Sequence, residues 1–380
     1  MKQKINIAII TRLLINNKLE GIGTFTHEVL RRMVKNHPEV QFYFIFDREY
    51  SEDFIYAENV IPIVVGPKSR TPLSWSYWLE VAVPKLLKKH SIDLLISTDG
   101  YIPLKDKTKS ISIIHDINFH HFPKFIPIHY RFYLTHFFPK FAKKANRIFT
   151  ISNYSKSDIA KSYHISKDKI DVEHNGVDEF FKSSSKNEIL NTKEKYTNKQ
   201  DFFLILGALN PRKNIESQLI AFDRYKKKTN TKLKLLIVGE KMWWTKKSKK
   251  LLTSLESNKD IIFSGFLHKS EIKQIYGSAK ALLFASYFEG FGMPIIEAMK
   301  CACPVITSNC TSMPEVAGDC ALLVDPYNID SITDAMIQLN NDDVLRNKLI
   351  EKGLNHSRKF TWEASTNALW QSIEKVLSKC

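Results

Sequence analysis

The stretch Ser286-Tyr-Phe-Glu-Gly-Phe-Gly-Met-Pro-Ile-Ile-Glu297 decides how this chain is read. Ala281-Leu-Leu-Phe-Ala285 precedes it, a short apolar run that suits a buried parallel strand. Behind it, Ile295–Lys300 has a helical pattern, with Pro294 near the start, where a missing N–H costs little. Strand, glycine turn (Gly290, Gly292) and helix therefore succeed one another. Glu289 falls in the turn and Glu297 one turn into the helix. Backbone amides of Phe291, Gly292 and Met293 at a helix start attract anions. Two carboxylates beside such donors suit a ligand carrying both hydroxyls and phosphates. Two solvated carboxylates on an ordinary strand-turn-helix are the simpler alternative.

Outward from this stretch, short apolar runs alternate with helical patterns. Strands are predicted at Ile5–Ile10, Phe42–Phe46, Asp93–Ser97, Ser110–Ile114 and Arg147–Ile151. Helical patterns fit Thr24–Val34, Trp78–Lys89, His129–Lys144 and Ser155–Tyr163. Residues 179–200 are polar and read as a linker. The alternation then restarts, with strands at Phe202–Gly207, Leu233–Gly239, Ile261–Ser264, Ala281–Ala285, Pro304–Thr307 and Ala321–Val324. Such alternation predicts doubly wound parallel sheets. The expected domains are 1–178, 201–361 and a final helix at about 362–377, in residues 362–380, with Trp370, Ile373 and Leu377 on one face.

Composition narrows the field. The 380 residues suffice for two α/β domains. No window of 18 apolar residues occurs, so no membrane-spanning helix is expected. The chain runs straight into its first strand without a signal-peptide pattern. The five cysteines form no disulfide or zinc spacing, so reduced thiols in a cytosolic protein are expected. The net charge of +16 implies an anionic partner: nucleic acid, a membrane surface or phosphates.

Four further sites carry chemistry. Glu20-Gly-Ile-Gly-Thr24 comes after the first strand, and Gly21 and Gly23 would let a ligand approach the backbone, or form a plain turn. Thr26 breaks Gly-x-Gly-x-x-Gly, which disfavours a dinucleotide fingerprint. His115 and Asp116 end an apolar strand, where a His would point into a ligand crevice or be one more surface His of the twelve, with Asp116 orienting it or capping the next segment. Arg212 and Lys213 precede a helix and could bind phosphates. Phe266 and Leu267 come just after a strand end, with a core Phe beside a turn as the alternative.

The Glu-x7-Glu spacing of Glu289 and Glu297 resembles the signature of retaining glycosyltransferases of family 4, which have the GT-B fold. The resemblance covers almost the whole chain and is more specific in the C-terminal half. Asn309–Gly318 resembles the family segment after the signature helix, with Glu315 either structural or supporting the residues that meet the ligand. The Met-Pro-Glu-Val-Ala-Gly-Asp and Pro-Arg-Lys-Asn stretches look like mannosyltransferase-like members that build bacterial surface polysaccharide, such as capsule or O-antigen. The resemblance implies two facing Rossmann-like domains, with a terminal helix returning to the first. It implies that Gly21 and Gly23 lie under the donor diphosphate and that His115 contacts the donor sugar. Lys213 and Arg212 would meet the leaving diphosphate, Phe266 and Leu267 the base, and Glu297 the ribose. Many members carry an Arg where this chain has Ala208.

The expected activity is retaining transfer of a sugar, mannose favoured, from a nucleotide-diphosphate sugar to a growing, lipid-linked glycan. GDP-mannose is the favoured donor, and no cofactor is expected. No side chain reads as a nucleophile, so same-face attack is favoured. No Asp-x-Asp occurs, so no obligatory metal is expected. Basic and aromatic residues mix at 119–147 (Lys124, Arg131, Lys140, Lys143, Lys144, Arg147) and at Trp75, Trp78, Lys85, Lys88 and Lys89. They suggest peripheral binding to the cytoplasmic face of an anionic membrane. Two rivals remain. A GT-B enzyme of another activity, such as a nucleotide-sugar epimerase or a phosphorylase, shares the motifs. A nucleic-acid-binding protein shares only the charge, and no such motif appears.

Overall fold

In the computed structural model the described residues are all but 1–3, 17, 18, 20, 69, 70, 241–244, 379 and 380. They divide into two compact units, Met1–Gly176 with Trp362–Cys380, and Val177–Thr361. Each is built on a parallel sheet.

The first sheet contains β1 (Asn6–Ile10), β2 (Gln41–Phe46), β3 (Val60–Val64), β4 (Leu94–Ser97), β5 (Lys109–Ile113), β6 (Arg147–Thr150) and β7 (Ile170–Val172). Its order is β3-β2-β1-β4-β5-β6-β7. The second contains β8 (Phe202–Leu206), β9 (Lys234–Val238), β10 (Ile261–Gly265), β11 (Ala281–Phe284), β12 (Val305–Ser308) and β13 (Leu322–Val324). Its order is β10-β9-β8-β11-β12-β13. The order therefore reverses between β1 and β4 in one unit and between β8 and β11 in the other. Ligands of doubly wound sheets bind beyond the strand ends at that reversal.

The inner strands are apolar because helices cover both faces. Ile7, Ile9, Leu94 and Ile96 are fully buried, as are Leu204, Leu235 and Leu282. Each such side chain contributes roughly 1.5–3 kcal/mol through burial. The two edges of the first sheet, β3 and β7, are additional to the predicted strands. β3 carries Pro62, which an edge tolerates, and β7 has only three residues.

Residues 179–200 differ from the expected linker. Lys186–Thr197 is a helix, started by a capping box between Ser185 and Glu188. It packs on the helix Lys269–Ser278 through polar contacts: Lys195 and Tyr196 both reach Glu271, at 2.9 and 2.8 Å. With few buried apolar residues, it leaves no hydrophobic period to read.

The helix Trp362–Leu377 packs on Gly21–Asn36 and on β5, β6 and β7. Its buried face is Trp362, Leu369, Ile373 and Val376, with Trp370 and Leu377 only half-buried. Trp362 meets Phe25 edge-on, Glu363 pairs with Arg32 at 2.7 Å, and Trp370 stacks on His37.

The basic-aromatic clusters are partly core. Trp75 and Trp78 are buried, and the Trp78 indole donates to the Val65 carbonyl at 2.8 Å. Phe119, Phe138 and Phe141 are buried too, and Arg147 pairs with Asp171. The helix Ile128–Lys144 nevertheless exposes Ile128 (82 %) and Phe132 (72 %) beside Arg131, Lys140 and Lys143. Leu73 is 86 % exposed. Among the described residues no helix is long and apolar enough to cross a membrane.

Candidate functional site

In the second unit the chain leaves β8 through Gly207, whose φ of +127° needs glycine. Its carbonyl oxygen lies 2.1 Å from where a Cβ on Gly239 would stand, so that position also excludes a side chain. A short turn, Pro211–Lys213, comes next, with the Asn210 side chain capping the Arg212 amide at 2.9 Å. Asn214 takes a left-handed conformation and opens the helix Ile215–Thr229. Its buried side chain donates to the carbonyls of Ala285 (2.9 Å) and Pro326 (2.8 Å). One amide thus ties together the loops after β8, β11 and β13.

This tie brings three sequence candidates together. Glu289 is buried, with Oε1 2.7 Å from Lys213 Nζ and Oε2 2.6 Å from Arg212 Nη1. Lys213 also lies over the Phe284 ring, 4.5 Å from its centre. Arg212 donates in addition to the Phe288 carbonyl. Burial raises the Glu289 pKa, but the two cations outweigh it and hold the carboxyl at about 2. The Ser312 hydroxyl fixes the loop by donating to the carbonyls of Glu289 (2.8 Å) and Phe291 (3.0 Å). Thr311 Oγ1 accepts from the Glu289 amide.

Beyond the loop, Gly292 has φ +103° and caps the helix Met293–Lys300. The Phe291 ring is buried against Phe360, so only its backbone is available to a ligand. Glu297, half-buried one turn into the helix, accepts from the Tyr276 hydroxyl at 2.9 Å on Oε2. Burial pushes its pKa up, against the opposing bond from Tyr276. Phe266 is 61 % exposed after β10, not a core residue, and Leu267 beside it is half-buried.

In the first unit, Gly21 and Gly23 lie inside the first turn of the helix Gly21–Asn36 rather than in a loop before it. A Cβ on Gly23 would stand 2.8 Å from the Leu13 carbonyl, so glycine there admits the chain's own backbone. His115 stands just past β5. Its Nε2 lies 3.0 Å from the Thr98 carbonyl, which can only accept, so Nε2 carries the proton and Nδ1 is an acceptor. Burial lowers its pKa and keeps the ring neutral. Phe25 packs edge-on against it. Asp116 caps the next turn through the Asn118 amide at 2.9 Å.

The sequence reading missed Tyr276, Asn214, Thr311 and Ser312. Asn214 alone carried a signal, as a residue tolerant of the left-handed conformation before a helical pattern. The others act through contacts between segments distant in sequence.

Comparison with known proteins agrees with this architecture. Residues 19–179 match the family model described as "Glycosyltransferase Family 4", and residues 186–356 match "Glycosyl transferases group 1". The O-antigen chain mannosyltransferase RfbU of Salmonella typhimurium is 32 % identical over 312 residues, 77 % of this chain and 82 % of the relative. The O-antigen chain mannosyltransferase B of Escherichia coli is 29 % identical over 259 residues, 68 % of each chain. Anabaena Alr3699/HepE, solved in complex with UDP and glucose, superposes with a TM-score of 0.75 at 15 % identity. That match covers 97 % of this chain and 99 % of the other. The chain belongs to the family 4 glycosyltransferases and has the GT-B fold. It is a glycosyltransferase.

Proposed function

We propose that this glycosyltransferase moves mannose, with retention of configuration, from GDP-mannose to a hydroxyl of a growing lipid-linked surface glycan of the O-antigen kind. The observation that carries the reading is the clamp of Glu289 between Arg212 and Lys213. The names of the two mannosyltransferase relatives support the sugar and the glycan class. The UDP complex of the Anabaena protein supports a nucleotide donor.

Breaking the sugar–phosphate bond places negative charge on the leaving diphosphate. Lys213 and Arg212 stabilise it, with the amides at the start of Met293–Lys300 as further donors. These cations do the work a metal would otherwise do, which supports metal-independent transfer. Glu289 holds hydroxyls of the transferred sugar. Its two oxygens are ion-paired with Arg212 and Lys213, which weakens it as a nucleophile. This favours same-face attack over a covalent glycosyl-enzyme. His115 offers its unprotonated Nδ1 to a sugar hydroxyl.

The acceptor lies at the cytoplasmic membrane surface. Exposed Ile128 and Phe132 beside Arg131, Lys140 and Lys143 support peripheral binding there. Binding should need anionic vesicles and weaken with salt.

The test is transfer of labelled mannose from GDP-mannose to lipid-extractable glycan, with the anomeric configuration of the product read by NMR. Retained configuration and EDTA resistance are expected. Isomerised or hydrolysed donor with no acceptor labelled would overturn the reading in favour of another GT-B activity.

A further inference from the structure

Glu297 is held from one side only. The Tyr276 hydroxyl bonds its Oε2 at 2.9 Å, and Oε1 has no hydrogen bond among the described residues. Tyr276 itself is wholly buried in the helix Lys269–Ser278. Its ring packs edge-on against Phe181, with ring centres 6.0 Å apart. Phe181 in turn is buried in the segment that begins the unit, and that segment is pinned by two ion pairs, Lys269 with Asp178 and Lys300 with Glu179. Ser184 in the same segment lies so close to Gly277 that a Cβ there would stand 2.4 Å from its hydroxyl. Burial and this packing hold the phenol toward Glu297, and the neighbouring Gly277 cannot take a side chain without moving Ser184.

A carboxylate on an otherwise mobile glutamate gains direction from such a contact. One oxygen is spent on an internal donor, which stops rotation about the last side-chain bond. The other oxygen, and the second lone pair of the first, then point in set directions. A vicinal diol, such as the 2′- and 3′-hydroxyls of a ribose, is the ligand that rewards this arrangement, because both hydroxyls must donate at once. A free carboxylate would have to be ordered on binding.

We propose that Tyr276 is a positioning residue that sets the Glu297 carboxylate for a ribose diol and so makes the enzyme select ribonucleotide over 2′-deoxyribonucleotide donors. The inference rests on the reading of Glu297 as the ribose-binding carboxylate. Tyr276 touches no ligand; it acts through Glu297.

Titration calorimetry with GDP and 2′-deoxy-GDP tests it, with UDP and 2′-deoxy-UDP in parallel, on wild type, Tyr276→Phe, Glu297→Gln and the double variant. Wild type should prefer the ribonucleotide by about tenfold or more, as one hydrogen bond to a charged group gives. Tyr276→Phe should lose most of that preference, raise KM for GDP-mannose and leave kcat within about threefold. The double variant should add little to Glu297→Gln, because the two act as one unit. If wild type prefers ribonucleotide and Tyr276→Phe prefers it equally, the role of Tyr276 is overturned while the ribose site stands. If wild type shows no preference, the ribose reading itself fails. Should Tyr276→Phe not fold, Glu297→Asp replaces it: the charge stays but the carboxylate is withdrawn from the phenol. An undiminished preference in that variant would also overturn the proposal.

Discussion

Glu289 and Glu297 stand eight residues apart, yet loop and helix treat their carboxyls in opposite ways. The loop closes two cations on Glu289, which stays ionised down to about pH 2. The helix gives Glu297 one phenol and a dry wall, and its pKa rises. Both are buried enough to lose water, so burial alone does not distinguish them. The partners do: two cations in direct contact outweigh desolvation, whereas one neutral donor with more distant lysines does not. The pair is thus divided between a carboxylate clamped by cations beside the leaving diphosphate and one held by a single phenol, suited to hydroxyls.

The sharpest way to break this comparison is to remove the clamp. Lys213→Ala and Glu289→Ala should each lower kcat by on the order of 10²-fold or more, the usual loss for a preorganised electrostatic contact. Steady-state transfer assays check this, with circular dichroism to show that the fold survives. Near-normal turnover in either folded variant would remove that residue from the site.

A second experiment sharpens the contrast through pH. Acidification should protonate Glu297 well before Glu289, so nucleotide affinity should weaken on the acid side at a higher pH than an ordinary carboxyl predicts. The groups acting on Glu297 are Tyr276, Lys269, Asp178 and Lys213. Calorimetric affinity of GDP against pH measures the midpoint, and Glu297→Gln should flatten that limb. A limb unchanged by the substitution belongs to another group.

The smallest effect is on stability, and its sign differs between the two. Glu289 has a lowered folded pKa, so its contribution is present above the ordinary value of 4.5 and is lost as pH falls toward about 2. Glu297 has a raised folded pKa, so the folded form binds the extra proton and stability falls as pH rises through that value. At neutral pH, Glu297→Gln should therefore raise Tm slightly and Glu289→Gln should lower it. Thermal melts between pH 4 and 8 read both; two shifts of the same sign would refute the contrast.

The members of the clamp were legible one by one, because each sits at a strand end that leads into a helix, a local pattern; that Glu289 pairs with both cations was not. The apolar inner strands were legible for the same reason. The features that escaped were set by partners remote in sequence or by polar packing. β3 and β7 are half-solvated edges whose runs are short or broken by Pro62. The helix Lys186–Thr197 is held by Lys195, Tyr196 and Glu271 rather than by an apolar stripe. Trp75 and Trp78 looked interfacial by type, but type does not tell which face of a helix meets the core. Tyr276 lies 21 positions before Glu297, across a strand and a loop, and no spacing rule joins them.

The closing helix Trp362–Leu377 also dictates an order of manufacture. Its buried face completes the unit that the first 176 residues begin, while residues 177–361 form a unit of their own. On the ribosome the apolar side of Gly21–Asn36, which includes Phe25, waits for a partner encoded beyond residue 361. At about 5–20 residues per second the intervening stretch takes roughly ten to forty seconds to emerge. The later-encoded unit can therefore finish folding before the earlier one, whose Phe25 face stays uncovered until Trp362 has emerged.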